Sequence, residues 1–137
     1  MAGDSLTIRP ANINDLPAIA ALQGGFGWPP ATYLNYDCRV ALLDHEVAGF
    51  LVSRETAPRE REILNLAVAP SARRRGIGKK LLEDEIARFR GRWFLEVRES
   101  NLAAINLYGS IGFEAAGKRP DYYRDPPEAA IVMTFFS

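Results

Sequence analysis

Hydrophobic and polar positions change period several times along this chain, and each change marks an element. Ser5 to Pro10 alternates and predicts a strand that Pro10 ends. Asn14-Asp15 offers a side-chain cap for a short helix carrying Leu16, Ile19, Ala20 and Leu22. Gly24, Gly25, Gly27 and Pro29-Pro30 punctuate a loop around Phe26 and Trp28, and a second short helix is expected around Thr32 to Tyr36. Cys38 to Leu43 and Glu46 to Arg54 read as a hairpin across Asp44-His45, and Glu62 to Val68 as a further strand stopped by Pro70. Helical spacing returns from Gly78 to Arg90, where Leu81, Leu82, Ile86 and Phe89 form a stripe and Gly91 supplies a stop. Trp93 to Val97 is a strand, after which Ser100 or Asn101 caps a helix that runs through Ile111 and ends at Gly112. Strands at Phe113 to Lys118 and Ala130 to Phe136 flank a Tyr- and Pro-rich excursion.

The resulting order, β-α-α-β-β-β-α-β-α-β-β, puts antiparallel strands first and a β-α-β crossover later. It predicts an α/β (α+β) fold with a mixed sheet and helices on both faces. No repeat, low-complexity tract or linker-like shift divides residues 1–137, so one domain is expected. Composition changes this picture little: 47% hydrophobic and 25% charged is ordinary for a globular protein. Seventeen basic residues balance seventeen acidic ones, which leaves no global field to recruit nucleic acid or an anionic membrane. The single cysteine, Cys38, permits no internal disulfide and, in a strand-like run, reads as packing. There is no basic-then-apolar leader and no apolar run near the roughly 18 residues of a membrane span, so the expected address is the cytoplasm. His45 stands alone in a turn, and no metal site is expected.

Chemistry enters at Arg73-Arg74-Arg75-Gly76-Ile77-Gly78, which lies between a strand and a helix. Two glycines allow the backbone to approach a ligand, the helix start presents free N–H groups and a positive dipole end, and the arginines add charge. This outlines a diphosphate site. A Walker loop is ruled out, because Arg73 stands where its first glycine belongs and Lys80 where it needs Ser or Thr. A Rossmann fingerprint lacks its third glycine, replaced by Leu81. A solvated basic turn is the plain alternative. The segment resembles the (Gln/Arg)-x-x-Gly-x-(Gly/Ala) pyrophosphate loop of the GNAT superfamily of N-acetyltransferases, and Leu64 to Pro70 looks like that family's fourth strand and its exit. The resemblance implies a mostly antiparallel central sheet and acetyl-coenzyme A as cosubstrate. It implies that the loop at Arg74, Arg75, Gly76, Ile77, Gly78 and Lys79 holds the coenzyme. Backbone groups of a bulged strand at Leu66, Ala67 and Val68 would meet its acetyl-pantetheine arm.

A second constellation runs from Leu95-Glu96-Val97-Arg98-Glu99-Ser100-Asn101 through Ala104-Ile105-Asn106-Leu107-Tyr108 to Ile111-Gly112-Phe113. Acetylating an amine needs a base, because an α-amine titrates near about 8 and lysine near about 10.4. It also needs donors for an oxyanion and an acid for the departing thiolate. Glu96, near the end of a strand expected to splay from the coenzyme strand, suits the base, and Tyr108 can present its hydroxyl to sulfur. The plain readings are a Glu96 ion-paired with Arg98 and a Tyr108 packed in the core. The stretch resembles the signature of the RimI-like ribosomal-protein alanine acetyltransferases. That likeness implies Glu96 as general base, Tyr108 as general acid and Asn101 as a coenzyme ligand. Phe26-Gly27-Trp28 resembles that group's substrate-side loop and Arg119 to Tyr123 its tail hairpin, which implies Phe26, Trp28, Tyr122 and Tyr123 as acceptor walls. The expected acceptor is a protein N-terminus. A lysine or small-molecule amine, or a coenzyme-binding module without catalysis, remains open on these residues.

Overall fold

The computed structural model describes residues 5–24 and 28–137. Seven strands and four α-helices appear, in the expected order. They are β1 (Leu6–Pro10), α1 (Leu16–Gln23), α2 (Pro30–Tyr33), β2 (Asp37–Leu43), β3 (Glu46–Ala57), β4 (Glu60–Val68), α3 (Ile77–Arg88), β5 (Arg92–Arg98), α4 (Leu102–Ile111), β6 (Glu114–Arg124) and β7 (Pro127–Phe136). The strands form one mixed sheet in the order β1-β2-β3-β4-β5-β7-β6. Only the β4–β5 pairing is parallel among the described registers, through Glu60–Arg92, Arg61–Trp93 and Glu62–Phe94. No helix of the described residues is long and apolar enough to cross a membrane. Two compact units are distinguished: Met1–Arg54 with Leu64–Asp84, and Glu55–Ile63 with Glu85–Ser137.

In the first unit, Asp44 and His45 both take left-handed φ (52° and 73°), the conformation a two-residue hairpin turn demands, and this joins β2 to β3. Residues 48–53 of β3 are buried without a break, as expected of a strand covered on both faces. Phe50 and Val52 join Val40, Cys38, Ile19 and Tyr33 in a core against α1 and α2. The opposite face meets α3 at Gly49, where an added Cβ would lie 3.0 Å from the Ala67 carbonyl oxygen and 3.3 Å from Ile77. A side chain here would push α3 and β4 back by a few tenths of an ångström. The N-terminal cap differs from expectation. Asn12 caps a 3₁₀ turn at Ile13–Asp15 that runs into α1, with Asp15 closing the box on the Asn12 N–H at 2.9 Å. Asn14 lacks this role because its backbone N–H is itself the group being capped.

In the second unit, β5 alternates: Trp93, Leu95 and Val97 are buried while Phe94, Glu96 and Arg98 face the less buried side. Of the two cap candidates for α4, Asn101 is the one used, its Oδ1 accepting the Ala104 N–H at 3.1 Å. The expected excursion between the last two strands is itself strand. β6 and β7 pair from Glu114–Thr134 out to Arg124–Pro127. Pro120 and Asp121 disguised this in the sequence, because they sit in a bulge. Three residues, 120–122, stand on β6 opposite one on β7, and Asp121 turns left-handed (φ 54°).

Candidate active site

The coenzyme half of the predicted site lies in the first unit. After β4, Pro70–Ala72 forms a 3₁₀ turn, and Arg74 and Gly76 then adopt left-handed φ of 68° and 72°. Alternating handedness of this kind turns successive N–H groups toward one concavity, which favours an anion. The Lys80 N–H bonds to the Gly76 carbonyl at 3.0 Å, so Ile77, Gly78 and Lys79 keep free N–H groups at the positive end of α3. Arg73, Arg74, Arg75, Lys79 and Lys80 are exposed around the turn, whereas Ile77 and Gly78 are buried beneath it. A cavity of about 350 Å³ beside the turn is lined by Leu6, Leu43, Arg75, Ile77 and Lys80. Backbone donors, a helix start and exposed cations are the donor set that a pyrophosphate requires. Leu66, Ala67 and Val68 lie half-buried at the end of β4.

Trp28 also belongs to this unit, at 37% exposure, its ring 5.8 Å from that of Tyr36 and beneath the Arg54 guanidinium at 5.4 Å. Phe26, the other predicted residue of this loop, lies outside the described residues.

The acid–base half lies in the second unit. The Glu96 side chain is only 13% exposed. Tyr122 donates its hydroxyl to Glu96 Oε1 at 3.0 Å, a contact made possible by the β6 bulge that carries Tyr122. Arg119 Nε approaches Oε2 to 2.7 Å, but its N–H is not aimed at the oxygen, so Oε2 is buried with no hydrogen-bond donor among the described residues. The charge of Arg119 at 2.7 Å offsets the burial of this oxygen. Arg98 is not the partner of Glu96. It pairs instead with Glu128 at 3.2 Å and lies over the Tyr123 ring at 4.3 Å, while Glu128 accepts the Ser100 N–H. Strand alternation puts Arg98 on the same face as Glu96, but the hairpin carrying Glu128 reaches it first. Arg119 went unnoticed as a neighbour of Glu96 because the two strands that carry them meet only through β7 between them.

Tyr108 is buried on α4, its ring edge-on to Phe113 at 5.6 Å. Burial, and next the nearby Tyr123, push its hydroxyl well above the ordinary range for tyrosine. Tyr122 and Tyr123 stand edge to face at 5.0 Å, and burial first of all raises Tyr123 to about 12. All three phenols therefore keep their protons at neutral pH. Asn101, named as a coenzyme ligand by resemblance, spends its Oδ1 on the α4 cap. No group of three or more His, Cys, Asp or Glu that could hold a metal occurs among the described residues.

A mixed sheet carrying a strand–glycine turn–helix and, on the next strand, a buried carboxylate is the layout of an acetyltransferase. The chain belongs to the acetyltransferase (GNAT) family, whose model matches residues 14–113. It is 35% identical over 144 residues to the ribosomal protein bS18-alanine N-acetyltransferase of Escherichia coli (strain K12), covering 93% of this chain and 95% of that one. The crystal structure of the ribosomal-protein-S18-alanine N-acetyltransferase from Escherichia coli superposes with a TM-score of 0.84 at 32% identity, over 96% of this chain and 94% of that one. An uncharacterized protein of Mycobacterium leprae is 35% identical over 140 residues, which cover 93% of this chain but 39% of the relative's length.

Proposed function

We propose that this N-acetyltransferase moves the acetyl group of acetyl-coenzyme A onto the N-terminal α-amine of a protein, such as a ribosomal protein. The observation that carries the reading is the Glu96 carboxylate, 13% exposed, with one oxygen accepting from Tyr122 and the other 2.7 Å from Arg119 Nε. These two contacts fix the position of a carboxylate that suits a base. Bound acetyl-coenzyme A would supply a thioester carbonyl as electrophile, its pyrophosphate resting on Arg74 to Lys79. Glu96 accepts the proton of the incoming ammonium, directly or through a water, and frees the nitrogen lone pair for attack. The new C–N bond forms first at the carbonyl carbon, and the C–S bond breaks afterwards, the nitrogen's remaining extra proton replacing the one that Tyr108 gives to sulfur. The backbone N–H groups of Ala67 and Val68 suit the oxyanion that develops between these events, since that of Leu66 goes to Asn65 Oδ1. Tyr108, kept protonated by its burial, donates to the sulfur as it leaves.

An α-amine suits a single carboxylate base, because near neutral pH it loses its proton far more readily than lysine. The similarity to proteins named ribosomal-protein alanine N-acetyltransferases supports a protein acceptor. A cytoplasmic setting goes with this proposal and with a chain that carries a single cysteine, Cys38. The test is a competition between a peptide with a free Ala N-terminus and the same peptide blocked there but carrying lysine. The free N-terminus is expected to be acetylated first. Preference for the blocked lysine peptide would overturn the acceptor while leaving the transferase.

A further inference from the structure

Tyr33 enters none of the roles above, yet its hydroxyl has three hydrogen-bond partners. It sits at the end of α2, 1% exposed, with its ring 5.9 Å from Phe50. The Trp28 N–H donates to it at 3.2 Å and Asn65 Nδ2 donates to it at 3.1 Å. Both of those groups can only donate, so the hydroxyl's own proton must go to Gln23 Oε1, 2.9 Å away. Gln23 Nε2 in turn donates to the Trp28 carbonyl at 2.9 Å. Gln23 and Tyr33 thus hold the N–H and the C=O of Trp28 together. On the other side, Asn65 Oδ1 accepts the N–H of Leu66 at 2.8 Å, which orients the first of the three β4 residues assigned to the acetyl arm.

We infer that Tyr33 is a positioning residue of the transfer reaction: its hydroxyl sets the acceptor wall at Trp28 in register with the acetyl strand at Leu66. One oxygen serves both segments, so neither can shift without leaving a buried donor unpaired. Orientation of this kind is worth rate because a displacement of an ångström at the reacting atoms is costly. The inference rests on the reading of Trp28 as acceptor wall and of Leu66 as acetyl strand.

Tyr33→Phe removes the oxygen and leaves the ring to pack. The variant and wild type are compared at a temperature where circular dichroism shows both folded. The acceptor is whichever of an N-terminal peptide, a lysine peptide or a polyamine the wild type acetylates fastest. A failure of the N-terminal reading therefore leaves this comparison intact. The expected result is a KM for the acceptor about 5- to 50-fold higher, with kcat also lowered and the Kd for coenzyme A within about twofold, since unpaired buried donors carry a cost of that order. Gln23→Met is the second variant, which releases Trp28 but keeps the Asn65 bond. It is expected to raise the acceptor KM and leave kcat near wild type. A folded Tyr33→Phe protein with a lower Tm but unaltered KM and kcat would overturn the inference. So would an unaltered acceptor KM in Gln23→Met if Tyr33→Phe fails to fold.

Discussion

Tyr108 poses the question of the single residue most sharply, because its position fits both a core aromatic and an acid. The ring packs on Phe113 and is buried, as a core residue would be. The hydroxyl, raised by that same burial, holds its proton through neutral pH, as an acid must until the thiolate forms. Tyr108→Phe separates the two, since it preserves the ring and deletes the donor. Turnover is expected to fall by about 10²–10⁴-fold, the usual worth of a positioned proton donor, while coenzyme A binding is unchanged. Steady-state rates with a thermal melt decide it: a lower Tm with an unchanged rate makes Tyr108 a core residue only. Glu96 is the complementary case, for its partners come from β6 and not from its own strand. Residue type could nominate Glu96, but its neighbours depended on the pairing of β6 with β7 and, for Tyr122, on a bulge.

At the scale of elements, the turn before α3 combines a helix cap with the coenzyme site proposed for it. The Gly76 carbonyl accepts the first helical bond, which puts residue 76 at the cap of α3. An added Cβ there meets nothing within 4 Å, and the φ of 72° is one that Asn and Asp tolerate better than other residues. Gly76→Asn and Gly76→Asp therefore fit equally and differ in charge alone. A carboxylate at this cap favours the helix, so the Asp variant is expected to melt no lower than the Asn variant without ligand. It places negative charge where a pyrophosphate would rest, and its Kd for coenzyme A is expected to be about 10- to 100-fold weaker than that of the Asn variant. Calorimetric titration of both proteins checks this, and equal affinities would remove the phosphate from this turn. The β6 bulge is the other element-scale device, since three residues opposite one re-aim Tyr122 toward Glu96.

For the molecule as a whole, stability against acid hangs in part on Asp15. Its carboxylate takes two bonds from Arg9, at 2.8 and 3.0 Å, and closes the Asn12 box, while only 5% of the residue is exposed. The Arg9 hydrogen bond, foremost, holds it below the usual value of 3.8 against the opposing effect of burial. A group whose folded value is depressed stabilises the protein above its unfolded value, and loses that contribution as pH falls through the folded value. Asp15→Asn is therefore expected to destabilise at pH 7 by about 1–3 kcal/mol, the worth of hydrogen bonds to a charged group. Melting curves of variant and wild type should converge only below pH 3.8. A gap that stays constant from pH 7 to pH 3 would mean the carboxylate's charge plays no part.

Local physics made most of the elements legible. Two residues in left-handed turns, helical stripes at Leu81 to Phe89, and glycines after α3 and α4 are properties of short stretches of chain, and all eleven elements follow their predicted order. The strand–glycine turn–helix was equally legible, because an anion site built from consecutive backbone groups needs no distant partner. What the sequence by itself determined is thus the order of elements, the strand–glycine turn–helix and the residue types proposed as acid and base. Tertiary structure decided who stands beside whom: Arg119 and not Arg98 at Glu96, Asn12 rather than Asn14 at the first cap, Tyr33 between Trp28 and Asn65. These pairings join residues whose separation in the chain says nothing about distance. They turn on a bulge, a register and one buried hydroxyl, which exist only once the strands have paired and the helices have packed.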